Sequence, residues 1–68
     1  MDPDANLAEQ RRIVAQLAAL SDTMGDEPSD ADSRTIERLA FRLSELVEAL
    51  DNWIARGGAL PRAWSPNR

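Results

Sequence analysis

Glu45 and Glu48, three residues apart, and the hydroxyls of Ser33 and Ser44 are the first side chains to ask for chemistry. A serine nucleophile needs a neighbouring base to take its proton. The chain contains no histidine, cysteine, lysine or tyrosine, so no such base is available. The two glutamates fall on a helix face that water should solvate, where nothing raises a carboxyl pKa towards neutrality. The Glu-x-x-His pair of dimetal bundles is missing too. "DTMGDEPSDAD" gathers Asp22, Asp26, Glu27, Asp30 and Asp32 and has the composition of a calcium loop. It lacks the alternating Asp spacing, the central glycine and the bidentate Glu at the twelfth position. Acids there serve a helix start by facing the positive end of its dipole. With neither cysteine nor histidine, zinc, haem and iron–sulfur ligation of the usual kinds are also excluded. The expectation is a protein that is not an enzyme, with no catalytic, cofactor-binding or metal-binding residues and no cofactor.

Charge narrows the partners. Twelve acids against eight bases, all arginine, leave a net charge of −4, which disfavours direct binding to nucleic acid phosphates. No apolar run approaches the ~20 residues of a membrane span. The acidic start "MDPDANLAEQ" lacks the basic and apolar regions of a signal peptide. A cytoplasmic location without membrane contact is therefore expected.

The elements that must hold these side chains are helices. Asp2 is placed to cap a first helix, with Pro3 at its first position and Asp4 and Glu9 near its positive end. Leu7, Ile13, Val14, Leu17, Leu20 and Met24 share an arc of about 160° at 100° per residue, with Glu9, Arg12 and Gln16 opposite. This predicts a helix over about 3–24, ended by Gly25 in a left-handed conformation. "GDEPSD" makes a short connection, with Pro28 blocking an earlier start of the next helix. Ser29 and Asp32 form a candidate capping box. From there Ile36, Leu39, Ala40, Leu43, Leu46, Val47, Leu50, Trp53 and Ile54 occupy an arc of about 140°. A second helix is predicted over about 30–56, closed by Gly57, with Gly58 leaving the chain free to bend.

Joined by so few residues, the two helices must lie antiparallel. Counting outward from the connection sets Leu20 near Ile36, Ile13 near Leu43 and Leu7 near Leu50. The fold class is thus all-α: one domain spanning residues 1–68, a two-helix hairpin with a folded-back tail over 57–68. A chain of this size buries only about 60% of its unfolded surface, and a hairpin covers each stripe on one side only. A homodimer forming a four-helix bundle is expected to supply the missing burial. In the tail, "GGALPRAW" is expected to lay Leu60 and Trp64 over Trp53, Ile54 and Leu7, with "SPNR" frayed beyond it. The competing reading makes Leu60, Pro61 and Trp64 an extended peptide anchored in a partner's pocket. Phe41 projects away from the stripe, among Arg34, Glu37, Glu45, Glu48 and Asn52, and is a candidate contact residue along with Trp53.

Both ends carry a pattern. "DPDANLAEQ" and "LVEALDNWIARGGALPRAW" make the chain resemble small uncharacterised proteins of actinobacteria and their phages. Those begin with an Asp-Pro-x-Ala-x-Leu-x-Glu-Gln-like segment and end in Asp-Trp-(Leu/Ile)-x-x-Gly-Gly-x-Leu-Pro-x-x-Trp. The resemblance implies an accessory protein of a phage or prophage that binds a host or phage protein. It brings no activity with it. The functional expectation is a non-enzymatic protein–protein interaction module with an unidentified protein partner. The alternative is an acidic regulator that mimics nucleic acid in the groove of a DNA-binding protein.

Overall fold

The computed structural model describes residues 1–23, 25, 27 and 29–65. Met24, Asp26, Pro28 and the "PNR" of the predicted frayed end lie outside the described residues. Helix α1 runs over Pro3–Thr23 and helix α2 over Asp30–Ala55, and a single 3-10 turn, Arg62–Trp64, follows in the tail. The helices pack against each other. The described residues contain no strand, and the architecture is an all-helical hairpin.

Local chemistry accounts for the helix ends. The Asp2 carboxylate accepts from the Asp4 and Ala5 N–H groups at 3.0 and 3.1 Å, occupying two of the donors that a helix start leaves unpaired. Ser29 does the same for α2, its Oγ accepting from the Asp32 N–H at 3.1 Å. Gly25 (φ +68°) and Gly57 (φ +91°) are both left-handed, as their positions after the helices predict. At the end of α2 the Gly57 N–H reaches the Ile54 carbonyl and the Gly58 N–H reaches that of Trp53, at 3.0 and 2.9 Å. That pair of bonds is a Schellman cap.

The core is small. Between the helices, among the described residues, the buried apolar side chains are Leu7, Ile13, Leu46 and Leu50, and Leu50 is only 2% exposed. Leu17, Leu20, Ile36, Leu39, Leu43 and Ile54 are half-buried. Three stripe members depart from the expected stripe: Val14 is 54% and Val47 48% exposed, and Ala40 is exposed too. All three lie towards one flank of the seam, which the lone partner helix leaves uncovered; Leu7, further round α1, is buried where the tail residues Arg62 and Ala63 lie beside it. Conversely, a polar residue is buried. Asn6 donates to the Leu46 carbonyl at 3.0 Å, and its own carbonyl accepts from Gln10 at 2.6 Å. It is thereby satisfied, as a buried amide must be.

Asn6 also bears on register. Its bond to Leu46 and the Glu9–Arg42 pair set α1 about a helical turn nearer the start of α2 than counting outward from the connection suggests. Glu9 is half-buried beside α2, a correction to its expected place opposite the stripe. Arg12 and Gln16 are exposed as expected.

Candidate functional site

The first surface to consider is the tail, because it mixes residues that hold the fold with residues that face outwards. Trp53 lays its indole against the Gly58 backbone, so that a methyl group added at Gly58 would stand 2.5 Å from Nε1 and 2.6 Å from Cδ2. The indole N–H donates to the Ala59 carbonyl at 2.9 Å. From there the chain turns back across the hairpin. Pro61 is under 2% exposed, and the Arg62 N–H donates to the Asp4 carboxylate at 2.7 Å. The tail therefore closes the open end of the hairpin, as expected, but with different residues. Leu60 is 49% exposed rather than packed down, and Pro61 occupies the interior instead. Trp64, 45% exposed, lies beside Ile54, as expected, and beside Leu50. An extended Leu-Pro-x-x-Trp ligand is not the arrangement seen, because Pro61 is inside and Arg62–Trp64 forms a turn.

Trp64 shares a shallow depression with Gln10, Val47, Leu50, Asp51 and Ile54. Val14 follows Gln10 by one helical turn and so joins the same face, and Leu43 and Val47 line its continuation along α2. This face is a band of exposed and half-buried apolar side chains along the hairpin.

A groove lies on the other side of the seam between the helices. Its floor is Ile13 and Leu39, its walls include Arg12, Arg38, Arg42, Glu9 and Glu45, and Phe41 stands at its rim. Phe41 is 70% exposed and borders a second depression with Ser44, Glu48, Ala49 and Asn52, close to its expected surroundings. Arg42 grips Glu9 through two bonds, Nε to Oε2 at 2.7 Å and Nη2 to Oε1 at 2.9 Å, and reaches Glu45 at 3.9 Å.

The hydrogen bond from Arg42 holds the Glu9 carboxyl below its ordinary 4.5, outweighing the partial loss of water around it. A carboxyl depressed in the folded state stabilises the fold above its unfolded pKa and ceases to do so as pH falls through the folded value. Melting temperature is therefore expected to fall as pH drops below 4.5, and Glu9→Gln should remove part of that fall. Parallel melting curves for the two proteins across this range would contradict the assignment. The effect is small because both side chains remain partly in water.

The expected sources of chemistry remain apart. The Ser44 hydroxyl donates to the Ala40 carbonyl at 3.0 Å, and Glu45 faces Arg42 rather than a second carboxylate. Among the described residues, no group of three carboxylates could hold a metal ion, and no helix is long and apolar enough to cross a membrane. Sequence periodicity missed Asn6 and the buried role of Pro61. Its one usable signal for Asn6 was an amide between the apolar positions of the first turns. No known protein family, characterised protein or solved structure matches this chain.

Proposed function

We propose that the protein is a non-enzymatic interaction module whose working unit is a homodimer. Two hairpins pair through the band of Val14, Leu43, Val47, Ile54 and Trp64 into a four-helix bundle, and the bundle presents its remaining surface to another protein. The resemblance to phage and actinobacterial proteins supports an accessory role of this kind in a phage or prophage.

The observation that carries the reading is unburied surface. The hairpin is a single layer, 44 by 25 by 14 Å, whereas domains ordinarily enclose their core between two layers. Its accessible area is 5207 Å². A compact monomer of this mass would expose about 4,250 Å². The difference, about 950 Å², is comparable with the roughly 800 Å² that each partner buries in a stable interface. Apolar side chains supply much of the band on which a second layer would sit.

Sedimentation at micromolar concentration should give twice the 7.5 kDa chain mass. Val47→Glu should shift the species to one chain mass with helix content retained, since Val47 is exposed in the single hairpin and a charge there disturbs only the pairing. A wild-type protein that sediments as one chain and melts cooperatively would refute the dimer.

A further inference from the structure

We infer that the groove beside Phe41 docks an acidic amphipathic helix of another protein. The first support is charge. The chain is acidic, with a net charge of −4, yet the groove is lined by three arginines against two glutamates. Arg42 is committed to Glu9 and Glu45. Arg12 and Arg38 are exposed and form no ion pair among the described residues. Arg12 also lies near enough to Glu9 to help hold its carboxyl down, so the lining carries one net positive charge, most openly at Arg38, in a protein that is otherwise acidic.

The second support is shape. Ile13, 4% exposed, and the half-buried Leu39 make an apolar floor, and the depression holds about 500 Å³. Phe41 is the most exposed large apolar side chain among the described residues. It stands where it could lie along one flank of an incoming side chain. The bidentate Glu9–Arg42 pair bridges the two helices at the groove. A groove running between two antiparallel helices fits a third helix, with its apolar side chains on the floor and its carboxylates over the rim. No strand edge is present among the described residues to recruit an extended peptide. A single net positive charge is also too little for a nucleic acid backbone, whose binding rests on neutralising many phosphates.

The site faces away from the band assigned to self-association, so either reading can fail alone. The test is a titration of the isotope-labelled full chain with an alanine-based helical peptide. The peptide carries a Leu and a Phe four residues apart, flanked by glutamates, and a control has lysines in their place. Amide shifts should cluster around Ile13 and Leu39–Arg42 and leave Val14 and Val47 unmoved. The glutamate peptide should bind about tenfold more tightly than the lysine peptide. The double variant Arg12→Gln/Arg38→Gln should erase that preference, and Phe41→Ser should weaken both peptides, with sedimentation and helix content unchanged in each case. Equal affinity for the two peptides, shifts centred on Val14 and Val47, or tighter binding of duplex DNA than of the glutamate peptide would each overturn the inference.

Discussion

Leu50→Ala is expected to destabilise the protein by about 2 to 5 kcal/mol, the range for emptying a buried leucine site. Leu50 is 2% exposed and, among the described residues, belongs to a small buried cluster with Leu7, Ile13 and Leu46, so few neighbours can move to refill the space. A chain of this length has a total stability of about 3 to 10 kcal/mol, and the substitution therefore removes a large part of it. Thermal melts followed by circular dichroism should show the midpoint falling by tens of degrees, at about 4 to 8 °C for each kcal/mol. If the proposed dimer forms, association stabilises the folded form by mass action, and the variant's midpoint should then also rise with protein concentration. A variant that melted within a few degrees of wild type would mean that Leu50 is not at the centre of the core.

Gly58→Ala is expected to have the next largest effect, and for a reason unlike that at its neighbour. Gly57 is left-handed with open space around its α-carbon, so a side chain there costs backbone strain alone, about 1 to 2 kcal/mol. Asparagine should reduce that cost. Gly58 has no positive φ, but the Trp53 indole lies where its β-carbon would be. An added methyl must push the ring aside, costing about 1 to 3 kcal/mol as overpacking does, and loosening the bond from the indole to Ala59. Asparagine should be worse than alanine there. Melting temperatures of the Ala and Asn variants at both positions would check this, with a red-shifted tryptophan emission expected only for the Gly58 variants. If Gly58→Asn melted like wild type, the indole would not be seated on the glycine.

The contrast between these glycines shows how much was legible. Local rules determine the caps at Asp2 and Ser29 and the left-handed turns at Gly25 and Gly57, because the partners lie within a few residues. Helix extents followed from the 3.6-residue period for the same reason. Gly58 was read as a bend, since only the placement of Trp53 explains it, and that placement is tertiary. Val14 and Val47 were in phase with the stripe but are exposed, because periodicity gives an angle around the helix and not the width of what covers it. Asn6 and Pro61 were hidden for the opposite reason. A buried amide or proline becomes favourable only when a particular carbonyl or surface arrives from afar. The groove beside Phe41 was half legible: the residue stood out, while Arg12 and Ile13 join Arg38, Leu39 and Arg42 only when α1 is laid beside α2.

The bond from Arg62 to Asp4 joins residues 58 apart, against 40 for Asn6 to Leu46 and 33 for Glu9 to Arg42. Closing a longer loop costs more chain entropy, and that cost shrinks when the intervening chain is already ordered. The surface on which the tail sits exists only once the two helices have met, so the order of events in folding has the tail dock last. Run backwards, the tail is the first part to let go, in an opening that leaves both helices paired. Such partial openings are what hydrogen exchange separates from global unfolding. The indole proton of Trp53 should trade with solvent at the rate of tail release, far ahead of the Leu50 amide, which is freed only when the whole hairpin comes apart.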